Sequence, residues 1–145
     1  LCLKTLLTPT LIKTNKQMKR SIFLLITAII AILLGAVMLL IPGKMAEGFG
    51  VTSSPIIIFM MREIGLFNLC SGVLNYLVRN NSDSKTLKAI LIFNIAYHLI
   101  MMPLNLSGVW QGIFPFGQAL PPLVIHLFVG IGSLIYLMKI KTSAD

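Results

Sequence analysis

Arg62, Glu63, Asn94, His98 and His126 stand inside long runs of mostly apolar sequence, and Asn105 stands just past the end of one. A carboxyl group gathered with two imidazoles in a dry site is a set that moves protons. Two His and one Glu are also a ligand set for zinc or iron, so Glu63, His98 and His126 are the metal ligands to test. The spacing argues against a dedicated catalytic or metal centre. The chain has no HExxH, no HxxxH pair, no second acid near Glu63 and no CxxC or Cys/His zinc pattern. No cofactor is expected.

These residues must be positioned by membrane-spanning helices. Of the 145 residues, 57% are hydrophobic and 11% charged, against roughly 45–50% and 25% in a soluble domain. The apolar residues fall into four runs, at about 21–41, 56–78, 86–104 and 119–138. Each approaches the ~20 residues needed to cross a hydrocarbon core. The expected fold is all-α, an integral membrane four-helix bundle forming a single domain over 18–141. Residues 1–17 precede the first Met, Met18, which is followed by Lys19, Arg20 and the first run. They are expected to be a disordered or upstream-translated leader with some helical tendency. A cleaved signal peptide is disfavoured, because Ser21–Ile41 is long and lacks a small-x-small site. Cys2 and Cys70 do not suggest a disulfide, since Cys70 lies within a run.

Ten basic residues border one side of these runs: Lys4, Lys13, Lys16, Lys19, Arg20, Arg79, Lys85, Lys88, Lys139 and Lys141. The other side has Lys44 alone, and Arg62 lies within a run. The positive-inside rule then predicts both termini in the cytoplasm, N-in/C-in, in a multi-pass protein of a bacterial cytoplasmic membrane. The net charge of +8 is accounted for in this way. No basic helix interleaved with stacking aromatics offers a nucleic-acid platform. The uncharged segment Ser107–Gln118, with Trp110, Phe114 and Phe116, is expected to lie at the headgroups as a loop. Pro42–Pro55 is expected to be a more flexible loop.

Helical periodicity then orients the polar groups. Gly65, Asn68, Gly72 and Asn75 fall on one face of the second span, a row that lets backbones approach and hydrogen-bond. Gly130 is a packing position in the fourth span. Arg62 and Glu63 point elsewhere, which would place this span at the centre of the bundle. Asn94, His98, Met101 and Asn105 share a stripe in the third span, as do His126, Gly130 and Ser133 in the fourth. Counting 1.5 Å per residue sets Glu63, His98 and His126 all ~10 Å beneath the outer surface. The expected site is a polar layer of Arg62, Glu63, His98 and His126, with Asn94 beneath and Asn105 above.

Three functions fit such a layer. It can be interhelical glue in a structural or accessory protein. It can be the polar end of a pocket, lined by Met61, Phe67, Met101, Met102 and Phe128, that binds or converts a hydrophobic small molecule or lipid. It can be a proton-transfer or metal site. The expected partners are membrane lipids, a hydrophobic small molecule, and a second copy or another membrane protein. Four spans are too few for the inverted repeats of secondary transporters.

The segment from Arg62 to Gly72 resembles the Arg-x-x-Gly-x-x-x-x-x-x-Gly helix start of small bacterial four-span proteins. These are the DoxX-like group and related families of domains of unknown function. Arg62, Gly65 and Gly72 carry the likeness, which extends in plan over about residues 18–140 and implies four membrane helices without assigned chemistry. The two histidines do not belong to it. In architecture alone the chain is also similar to the sterol isomerase and sigma-receptor-like fold, which implies the isomerase-like form of the second function.

Overall fold

The computed structural model describes residues 4–140, with side chains from Asn15 onward except Lys16. The expected positions Cys2 and Lys141 lie outside the described residues. The described residues are all-α, with five helices: α1 (Lys4–Leu40), α2 (Pro42–Gly48), α3 (Pro55–Val78), α4 (Lys85–Trp110) and α5 (Phe116–Met138). Among the described residues four segments are long and apolar enough to cross a membrane: Gln17–Leu40, Pro55–Val78, Lys85–Trp110 and Phe116–Met138. Residues 4–17 are helical and continuous with the first of these.

Local chemistry sets the helix starts. Ser54 Oγ accepts from the Ile57 N–H at 3.3 Å, and Ser84 Oγ from the Leu87 N–H at 3.2 Å, each satisfying a first-turn donor. Pro42 opens α2, where its missing N–H costs nothing. The expected flexible loop Pro42–Pro55 is thus half helix.

The third and fourth spans are longer than their apolar runs. α4 was expected to end near Leu104 but passes through Pro103 and runs on to Trp110. The proline removes only one donor, and the later turns complete their own bonds. The helix closes at Gly112, whose φ of +70° is a left-handed conformation that glycine adopts freely. The Phe114 ring folds back over Gly108, where a Cβ would come within 2.6 Å of it. α5 begins at Phe116 rather than 119, and the true connection is only residues 111–115.

The helices associate in two pairs. α1 lies along α3 and α4 along α5, with much slighter contact between the pairs. Backbone meets backbone in the first pair. A Cβ on Gly35 would sit 2.6 Å from the Gly65 carbonyl and 2.8 Å from the Leu69 nitrogen. One on Gly72 would sit 2.9 Å from the Ala28 carbonyl. The row Gly65–Gly72 therefore faces α1. The opposite side of α3 is uncovered, so this helix is not enclosed by the others: its neighbours take the small-residue face, and its bulky face is left exposed.

The pairs are joined at one end, where the basic residues gather. Buried Arg20 in α1 donates to Asp83 Oδ1 at 2.5 Å and to the Asn81 carbonyl at 2.6 Å. Ser21 donates to Asn80 Oδ1 at 2.7 Å, and Tyr136 to the Lys19 carbonyl at 3.2 Å. Next to this polar clamp Phe23, Leu24, Val78, Leu87 and Leu91 form the core, packed against Tyr136 and Leu137. The clamp ties α1 to the α3–α4 turn and to the end of α5.

Gly35→Ala should lower stability by roughly 1–3 kcal/mol, because neither opposing backbone can yield. Gly117→Ala, which meets open space, should change it by less than about 1 kcal/mol. Detergent-titration unfolding midpoints check the contrast; equal effects would contradict the backbone contact.

Candidate functional site

Away from the clamp, the two helix pairs leave a cavity of about 350 Å³ between them. Its walls are mostly apolar and include Met38, Met60, Met61, Ile64, Met101 and Phe114. Asn68, Tyr97, Asn105, Gln118 and His126 supply its polar groups. Every helix contributes a lining residue or an adjoining loop.

Each polar group is placed by a local feature. Gly130 lets α4 and α5 approach, since a Cβ there would come within 3.2 Å of Leu99 and 3.6 Å of His98 Cβ. This closeness brings His98 and His126 together, Nδ1 to Nδ1 at 2.8 Å. One Nδ1 must donate and the other accept. A neutral pair therefore holds opposite tautomers, with one bare Nε2 and one Nε2–H. The Tyr97 ring stands edge-on to both, with centroids at 5.1 and 6.2 Å, and is backed by Phe67 at 4.8 Å. His126 faces the cavity; His98 lies behind it, 9% exposed.

On the clamp side of the histidines, Asn75 and Asn94 exchange amide bonds of 3.3 and 2.8 Å. Asn75 donates to the Ser71 carbonyl as well. Both asparagines are buried and satisfied, and they tie α3 to α4 with no role in the cavity. At the other end, Gln118 Oε1 is buried without a hydrogen-bond donor. The amide lies directly over Gly50, the left-handed glycine of the α2–α3 connection, where any Cβ would overlap it. Pro122 follows Gln118 by four residues, so the Gln118 carbonyl has no helical N–H to accept from. Asn105 donates to the Met101 carbonyl at 2.9 Å, and Asn68 to the Met38 sulfur at 3.7 Å.

No protein-family model, no curated protein and no solved structure matches the chain. The site must be read from its own geometry.

Of the six residues expected to form one layer, the structure brings together His98 and His126. Asn105 lines the cavity farther out, and Asn94 bonds to Asn75 instead. Arg62 and Glu63 are exposed on the outer flank of α3 and line no part of the cavity. Among the described residues no three His, Cys, Asp or Glu side chains are grouped to hold a metal, and Glu63 does not join the histidines. The extra turns of α4 and α5 also set the histidines farther from the helix ends: His98 is ~18 Å from Trp110 and His126 ~15 Å from Phe116, at 1.5 Å per residue. Of the expected apolar lining, Met61 and Met101 are present. Phe67 backs Tyr97, and Phe128 packs on Phe23 at 5.5 Å. Tyr97, Gln118 and Met38 were not singled out from sequence; the prolines that follow Gln118 were the one available signal.

If the imidazoles act as a pair, His98→Leu and His126→Leu should each leave one nitrogen unpaired. The double variant should then be less destabilised than the sum of the singles, by roughly 0.6–1.7 kcal/mol. Additive losses in a double-mutant cycle would contradict the pairing.

Proposed function

We propose that the protein is a non-catalytic binder of a hydrophobic small molecule carrying one or two hydrogen-bonding groups, taken up from the membrane. The observation that carries this reading is the cavity, apolar along its walls and polar at separated points. Its volume lies at the lower end of ligand pockets, and ligand sites combine apolar walls with a few such groups. The unpartnered Gln118 Oε1 suits a hydroxyl donor. His126, whose Nε2 is a donor in one tautomer and an acceptor in the other, suits a hydroxyl or a carbonyl. A sterol-like molecule, an isoprenoid alcohol or a quinone has this chemistry.

The same reading places the four long helices as a bundle in a bacterial cytoplasmic membrane, with both termini in the cytoplasm. Lys19, Arg20, Arg79, Lys85 and Lys139 at the clamped end support that orientation, and 92%-exposed Trp110 at the other end suits the headgroup zone. The cavity then occupies the half of the bundle away from the cytoplasm. Conversion of the ligand is not proposed, because among the described residues no carboxylate lines the cavity beside the imidazoles. The likeness to DoxX-like proteins fits this plan without adding chemistry to it.

Native mass spectrometry of gently solubilised protein tests the binding. Wild type and Glu63→Gln, whose side chain faces away, should each retain a bound species of roughly a few hundred daltons, the size of ligand that such a pocket holds. Met101→Trp should exclude it by filling the cavity, and Gln118→Leu should weaken retention. A bare wild-type mass, or equal retention by all four proteins, would overturn the proposal.

A further inference from the structure

Arg62 and Glu63 are left unused by the cavity. Both are exposed, and among the described residues neither forms an ion pair or side-chain hydrogen bond. Glu63 lies on the side of α3 opposite the buried row Gly65, Gly72 and Asn75. It is roughly 12 Å along the helix from Pro55, at 1.5 Å per residue. Its short stem cannot reach the headgroups from there. A charge at the bilayer centre costs at least ~2.5–3.5 kcal/mol on insertion scales, and such residues ordinarily face protein or trapped water.

The residues around Glu63 are ordered in a way that lipid does not require. Ile56, Phe59, Glu63, Leu66, Cys70, Val73 and Leu77 succeed one another at alternating steps of three and four. All seven are exposed. This is the 3.5-residue repeat of a coiled-coil seam, sustained for three heptads along the whole span. Solvation by acyl chains needs apolar residues but no such register.

We infer that this face of α3 is the interface with a second copy of the same chain, the two α3 helices running parallel about a two-fold axis along the membrane normal. In a parallel seam each knob enters a hole made by four residues of the facing helix. Glu63 occupies an a position, and its hole on the second copy consists of Phe59, Arg62, Glu63 and Leu66. Arg62 of each copy thereby meets Glu63 of the other. Two reciprocal pairs form, and the four charges sum to zero. A two-fold interface requires a self-complementary patch, and adjacent Arg62 and Glu63 are one. A lipid phosphate would satisfy Arg62 but repel Glu63. The seam lies on the outside of α3 and the cavity on its inside, so this inference stands independently of ligand binding.

Cys70 tests the interface directly, because it faces its own equivalent in one layer of the seam. In a Cys2→Ser chain it is the sole thiol. Oxidation of native membranes with copper–phenanthroline should link two chains into a species of twice 15.9 kDa. Leu33→Cys in a Cys2→Ser/Cys70→Ser chain serves as the control. It is exposed on the far side of α1 at a similar depth, since Gly72 meets Ile32, and should give no such band. R62E and E63R should each abolish the Cys70 band, and the R62E/E63R exchange should restore it. No Cys70 band, an equal band from Leu33→Cys, or a link to a different protein would overturn the interface. An exchange variant that reaches the membrane but fails to recover the band would overturn the ion pairs. Should the single reversals fail to insert, Cys70 against Leu33→Cys decides alone.

Discussion

The arrangement depends on the place where α1 and α3 touch through their backbones. In lipid, apolar side chains gain little by leaving one apolar medium for another, so helices associate through close packing and hydrogen bonds. Gly35 against Gly65 and Gly72 against Ala28 supply that packing over several turns. Because this pair closes along its length, α4 and α5 are left to pair with each other, through the gap at Gly130. The two pairs then need something else to hold them together.

That second constraint is polar and lies at one end. The Arg20 guanidinium is spread over Asp83 and the Asn81 carbonyl, with the Phe23–Leu24–Leu91 core next to it. The Asn75–Asn94 exchange extends the seal about one turn short of the histidines. Beyond the His98–His126 bond the pairs part around the cavity and meet again where the Gln118 amide lies over Gly50. The opening therefore follows from where the polar ties stop. Its polar groups are of a kind that a ligand completes: Gln118 has a bare acceptor, and the imidazole pair can present either a donor or an acceptor.

Much of the helical frame was legible in the sequence, because long apolar runs and flanking charges report directly on the solvent each segment meets. The row Gly65–Gly72 was legible as a packing face for the same reason: small residues at steps of three and four have one structural use in lipid. Its partner was not legible, since nothing local states that α1 rather than α4 lies against it. The continuation of α4 past Pro103 was missed because one lost donor does not end a helix whose following turns bond normally. Arg62 and Glu63 were assigned inward on the expectation that lipid excludes charge. The periodicity that turns Glu63 away from the glycine row was visible beforehand, but its meaning required knowing that no other helix of the chain covers that side. Tyr97 had no distinguishing spacing and Gln118 only the prolines that follow it; their importance comes from tertiary neighbours, the two imidazoles for one and Gly50 for the other.

Thiol accessibility measures the central claim, that the chain is sealed at its clamped half, which we propose faces the cytoplasm, and open to a cavity from the other side. In a Cys2→Ser/Cys70→Ser chain, Asn105→Cys should react with a small membrane-impermeant thiol reagent added from outside the cell, and Ser133→Cys, fully buried below the histidines, should react from neither side. Reaction of Asn105→Cys only from the cytoplasmic side, or free reaction of Ser133→Cys, would contradict the account.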